Sequence, residues 1–310
     1  TLPGNSDYFH LSSFYGQIPL AQIGSDSAKI KFNGIVKNLG YISDSVQFQV
    51  KVFNPTNSLI YNENVTSPVL STSEIDTLDL LTPAFELDTT ASLGTYTIVY
   101  NAVIPNDTNI NNNVDTAYFI VTDSIYARDL NNIDYSISPA IYNTGGNDGE
   151  MIGTDYIFNE SASIESMSVY ISNNTDPGTS FIGKVLEWDT TIQTWTAICA
   201  SSLISIDTSM LGSWISVPFT VPPDINISGN SSKTLKAAVE IYYGVNDFYI
   251  GYDKSVKGSS WGIHYYFLSG VNSNSWLPIN VSSNTKGALA IRLNTHPFYQ
   301  APDASFDYTN

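Results

Sequence analysis

The sequence predicts an all-β protein, an immunoglobulin-like sandwich followed by a larger jelly-roll-like sandwich. Three observations predict it. Apolar residues alternate at period two in several segments, which places alternate side chains on opposite faces of a strand. Clusters of Asn, Asp, Gly and Pro break the chain about every 8 to 14 residues, the spacing of short antiparallel strands. No segment carries the 3.6-residue period of an amphipathic helix, and the polarity rests on Asn, Ser and Thr, which are poor helix formers.

Val46, Phe48, Val50 and Val52 make the cleanest alternation, with Gln47, Gln49 and Lys51 turned to water. Ile215, Val217, Phe219 and Val221 repeat it, as do Leu235, Ala237, Val239, Ile241 and Tyr243 with Lys236 and Glu240 outward, and Leu289, Ile291 and Leu293. Strands are expected near 9–19, 29–37, 46–53, 58–62, 77–86, 95–104 and 116–122, an immunoglobulin-sized set. Further strands are expected near 152–158, 163–172, 181–188, 194–200, 214–221, 234–243, 247–253, 259–268 and 287–294. That second set is jelly-roll-sized. The expected division is therefore residues 1–124, residues 125–296, and an extended tail at 297–310. The link Thr122 to Asp129 lacks Gly and Pro, so a short, stiff connection is expected.

Twelve Lys and Arg against 29 Asp and Glu give a net charge of −17, which excludes nucleic acid and anionic lipid as partners held by bulk electrostatics. With 42% hydrophobic residues the chain folds rather than staying disordered. No apolar run approaches the roughly 20 residues that span a bilayer, so no membrane insertion is expected. The single cysteine, Cys199, permits no internal disulfide. It alternates with Trp195 and Ala197, so all three are expected in the core. The chain begins at Thr1, which reads as a mature product or an expressed piece.

Catalytic constellations are absent from the sequence. It contains no Gly-x-Ser-x-Gly elbow, no His-Glu-x-x-His and no phosphate-binding loop, and His10, His264 and His296 are far apart. Two carboxylates converging in space would serve glycoside hydrolysis, but 29 acids do not single out a pair. A non-catalytic protein is the expectation.

Two acidic clusters carry oxygen ligands. In Asp107, Asn109, Asn111 and Asp115, side-chain oxygens recur at alternate positions, which suits the 6 to 8 oxygens that calcium takes. A solvated hairpin whose Asn and Asp side chains bond their own backbone explains the same run. Asp129 and Asp134, with Asn131 between them, form a second cluster at the entry to the larger sandwich. Aromatic rings are the other signal. All five tryptophans lie in the second part, and exposed Trp and Tyr beside Asn and Asp offer flat platforms for sugar rings. Trp214 and Tyr242 fall opposite the apolar faces of their strands, Trp261 and Trp276 flank turns at a sandwich rim, and Tyr265 is a further aromatic of the second part, so these five are the candidate ligand-binding residues. Core or rim packing explains such rings as well.

The segments Val36-Lys37-Asn38-Leu39-Gly40, Gly94-Thr95-Tyr96-Thr97-Ile98, Asp107 to Asn113 and Phe119-Ile120-Val121-Thr122-Asp123 together resemble the bacterial CARDB-like immunoglobulin-type adhesion domains, over about residues 28–124. Val121 to Asp129, followed by a Gly-rich turn and a sandwich ending in Ala290-Ile291-Arg292-Leu293-Asn294, resembles secreted Bacteroidetes proteins of the type nine secretion class. In those proteins such modules precede a C-terminal sorting domain removed at the cell surface; none is recognisable after Asn294 here. The resemblance implies a secreted or outer-surface location, and jelly-roll relatives that bind carbohydrate imply a structural calcium near Asp129 and Asp134. The function it implies is adhesion or surface structure, with an extracellular glycan or protein as partner. The alternative is an accessory carbohydrate-binding region of a larger hydrolase or protease. Self-association is expected through the tail, where Phe298, Tyr299, Phe306 and Tyr308 supply anchors for a neighbour's sheet edge.

Overall fold

The computed structural model describes residues 9–10, 15–23, 30–87, 90–104, 113–139, 147–229, 231–244, 246–256, 264–267, 276–279 and 287–297. Strand makes up 61% of it and helix 3%, so the chain is all-β as the alternation predicts. The first strands are β1 (Phe9–His10), β2 (Gln17–Pro19), β3 (Ile30–Lys37), β4 (Asp44–Phe53), β5 (Leu59–Leu70), β6 (Ile75–Phe85), β7 (Gly94–Val103) and β8 (Val114–Thr122). Next come β9 (Ile125–Ala127), β10 (Tyr135–Ile137), β11 (Glu150–Phe158), β12 (Ala162–Ile171), β13 (Ser180–Asp189), β14 (Thr194–Ala200), β15 (Ile204–Ser205) and β16 (Ser213–Pro218). The last are β17 (Asp224–Ile225), β18 (Lys233–Tyr242), β19 (Ile250–Asp253), β20 (His264–Phe267), β21 (Trp276–Pro278), β22 (Ala288–Leu289) and β23 (Ile291–Pro297).

The first sandwich packs the sheet β1-β3-β6 on the run β5-β4-β7-β8. Val46, Phe48, Val50 and Val52 all point inward, as the period-two pattern requires. Phe32 from one sheet meets Tyr61 and Tyr100 from the other, with ring centroids 5.4 and 6.2 Å apart. Gly34 lies against the Phe48 ring, where a Cβ would collide. Strand order and pairing are those of an immunoglobulin-type sandwich, and β2 adds to β8 in parallel, the one parallel pair among the described strands. A tyrosine corner completes it: Tyr96, near the start of β7, donates its hydroxyl to the Ser92 carbonyl at 3.0 Å. Tyr96→Phe keeps the ring stacked on Phe119 and loses this bond. It should lower stability by about 1 kcal/mol in denaturant unfolding.

The second sandwich packs β14-β13-β18-β11-β20-β21 on a sheet built around β12 and β23. Inward residues of β11, β12, β18 and β23 such as Ile152, Val169, Val239 and Ile291 are fully buried. Gly183 faces Val217 and Met167 of the opposite sheet, which leaves no room for a side chain.

The two sandwiches share a sheet. β8 pairs with β2, β2 with β9, and β9 with β23, so hydrogen bonding runs from β5 through to β19 and β10. The segment after β2 continues the union: Gln22 accepts from the Asn159 and Glu160 amides and donates to the Glu160 carbonyl. Tyr15 accepts from the Ile157 amide at 2.6 Å, and its ring lies 3.8 Å under the buried Arg128 guanidinium. Gly16 has no space for a Cβ, because the Asp129 carbonyl occupies it. β8 ends at Thr122 and β9 begins at Ile125, and the Thr122 hydroxyl bridges the step by bonding the Ile125 amide and carbonyl.

Candidate functional site

The outer face of this seven-stranded sheet, in which β15 also pairs with β13, is lined with rings. Register fixes which residues share it: Asp155 of β11 stands opposite Lys236 of β18, which stands opposite Leu186 of β13, and Trp188 stands opposite Trp195. On the other side Tyr265 pairs with Gly153, and Phe267 with both Met151 and Trp276. Trp188, Trp195, Lys236, Asp155, Tyr265 and Trp276 therefore project from one face across six strands.

Trp195 is a correction to the core expectation. The β13–β14 pairing shifts between Val185 and Leu186, so Cys199 lies opposite Val185 on the inner side while Ala197 and Trp195 lie opposite Leu186 and Trp188 on the outer side. A bulge inserts one residue and reverses the alternation. Cys199 keeps its inward position, and burial pushes its thiol up to about 11, which suits an inert hydrophobe.

Lys236 is the centre of this face. Its ammonium is 4.6 Å from the Trp195 ring, 3.5 Å from Tyr265 and 4.9 Å from Trp276, and it contacts the Asp155 carboxylate. The Lys236 side chain is 1% exposed. Burial pulls its pKa down to about 8 against the pull of Asp155, and burial likewise raises Asp155 against Lys236. Cation–π contact holds the three rings in fixed positions. Trp188, 44% exposed, meets Trp195 edge-on at 5.8 Å and carries the row to the sheet's margin.

The predicted residues fall on both sides of the sandwich. Tyr265 and Trp276 come together over Lys236. Tyr242 shares their face, where its hydroxyl donates to Glu240, itself paired with Lys184 at 2.7 Å. Trp214 belongs to the opposite sheet: its indole N–H donates to Asn131 at 3.0 Å and the Arg292 guanidinium covers its ring at 3.7 Å. Trp261 lies outside the described residues.

Of the proposed metal ligands, Asp107, Asn109 and Asn111 also lie outside the described residues, and Asp115 caps its own strand by accepting from the Thr116 amide. Asp129 is fully buried and is held by Arg292 through both carboxylate oxygens, with the Asn131 amide as a further donor. Asp134 is exposed and accepts from the Lys254 amide. Among the described residues, no three His, Cys, Asp or Glu are grouped to hold a metal ion. The acids at this entry order a loop: buried Asp253 accepts from the Leu130 and Asn132 amides, and Asn131 takes a left-handed conformation that Asn tolerates.

Sequence reasoning missed Arg292, and it named Asp155 only as an acid near the Asp129 cluster and Trp188 only as one of five tryptophans, not as parts of this face. A charged residue inside an apolar alternation, such as Arg292 between Ile291 and Leu293, signals a buried partner, but the partner is 163 residues away.

No family model and no curated protein matches the chain. Solved structures that it resembles include a clostridial cysteine protease, Cwp84, after propeptide cleavage. Identity there is 10%, the TM-score is 0.36, and the match covers 88% of this chain and 73% of that one. The cysteine protease and lectin-like domains of Cwp84 from Clostridium difficile match at 10% identity and TM-score 0.32, covering 85% of this chain and 62% of that one. Carbohydrate-binding modules of the β-sandwich superfamily match at 9% identity and TM-score 0.21, covering 71% and 94%. Similarity this low assigns neither a family nor an activity.

Proposed function

We propose that this chain is a non-catalytic adhesion module, secreted or displayed at the cell surface, that binds a glycan on the outer aromatic face of its second sandwich. One observation carries the reading: Trp188, Trp195, Tyr265 and Trp276 share a single face, with Trp195, Tyr265 and Trp276 packed around the buried Lys236 side chain and Trp188 set edge-on against Trp195. Rings held this way present apolar faces to the C–H surface of a sugar without losing side-chain freedom on binding. Glu240 and Tyr242 on the same face supply hydrogen-bonding groups for hydroxyls. The continuous sheet joining the two sandwiches makes the first a rigid spacer for the second. A glycan array on the full chain, run with calcium and again with chelator, should return a selective set of oligosaccharides. An array with no hit above background contradicts the reading and leaves a protein-binding adhesin.

A further inference from the structure

We propose that Lys236 and Asp155 are a site of intramolecular modification, where the Lys236 Nζ and the Asp155 Cγ condense to an amide that ties β18 to β11. The two residues are directly opposed across an antiparallel pair, so their Cβ atoms lie about 4.5–5.5 Å apart, within the span of the joined side chains. Nζ already touches the Asp155 Oδ1. Trp195, Tyr265 and Trp276 close over the ammonium and exclude water from it.

Such an environment changes what the pair can do. In water an ammonium and a carboxylate do not condense, because both are stabilised by hydration. Here burial opposes both charges, lowering Lys236 and raising Asp155, so the free amine and the protonated acid become accessible together. The amine then adds to Cγ, the Cγ–OH bond breaks, and the hydroxyl leaves as water with one amine proton. Tyr265, hydrogen-bonded to Asp155, is placed to relay that proton. The Asp155 backbone carbonyl is held by Arg128 through Nε at 2.9 Å, which fixes the acid's position. Starting from the ion pair, the products are one amide and one water; no oxidant, metal or cofactor enters. Two reacting groups held in contact reach effective molarities on the order of 10⁵ M or more, enough to drive a step that fails between free molecules. The product also removes two buried charges whose pairing does not fully offset their lost hydration.

Intact mass spectrometry of the purified full chain tests this. The expected mass is lower than that of the sequence by one water, and digestion yields one branched species containing both Lys236 and Asp155. Lys236→Arg, which keeps the cation over the rings, should restore the full mass. An unmodified mass, or digestion that releases a peptide with free Lys236, overturns the proposal. So does a one-water deficit mapped to Asp148-Gly149, where cyclisation of the aspartate gives the same loss.

Discussion

Replacing Arg292 with alanine is expected to destabilise the second sandwich by about 3–5 kcal/mol. Asp129 is fully buried, and Arg292 binds both its oxygens while also donating to Asn131 at 2.9 Å. Removing the guanidinium leaves a carboxylate with neither water nor a counter-charge. It also uncovers the Trp214 ring and loosens the 129–134 loop that the Arg292–Asn131 contact braces. Urea unfolding followed by tryptophan fluorescence reads the change, since all five tryptophans lie in the second part of the chain. The double variant Arg292→Leu with Asp129→Leu should recover much of the loss, because an apolar pair of similar volume replaces the ion pair without stranding a charge. A single variant as stable as the parent contradicts this account of the loop.

Acid should destabilise the fold through His264 by an amount on the order of a few kcal/mol. His264 is buried on the inner face of β20. Burial lowers its pKa from 6.5 to about 3; Arg128 and, less strongly, Lys236 add to this, while a hydrogen bond to the Gly287 backbone opposes it. The folded imidazole therefore stays neutral as pH falls through 6.5, while the unfolded chain takes up the proton. Stability is full above pH 6.5 and falls progressively toward pH 3. His264→Gln, which has no proton to gain, should flatten the dependence of stability on pH between 6.5 and 4. If parent and variant lose stability in parallel over that range, other groups carry the acid response.

Much of the fold is legible in the sequence because it is written in local alternation. β4 shows all four inward positions that Val46 to Val52 predict, β18 buries Leu235, Ala237, Val239 and Ile241, and β23 buries Ile291 and Leu293, whereas Val221, expected on an apolar face with Val217 and Phe219, is exposed. Predictions weaken where alternation meets polarity. β5 runs to Leu70 rather than ending near residue 62, because a strand paired along one edge tolerates Asn62, Asn64 and Thr66 on its exposed positions. The site is less legible than the fold, and the reason is physical. A bulge reverses the face of Trp195, and bulges leave no clear mark in the residue pattern. Lys236 is correctly read as pointing out of the core, but its covering comes from β14, β20 and β21, elements distant in sequence. The ion pair of Asp129 with Arg292 is likewise set by pairing between β9 and β23, a register that neither segment encodes alone.

We propose that binding belongs to the outer aromatic face of the seven-stranded sheet. The most direct test compares two tryptophan variants on opposite sheets by isothermal titration with the best glycan from the array. Trp188→Ala, at the exposed margin of the ring row, should weaken binding about tenfold or more, while Trp214→Ala, on the other sheet, should leave affinity unchanged. Loss of binding in Trp214→Ala with Trp188→Ala unaffected would place the site on the opposite face and contradict the account.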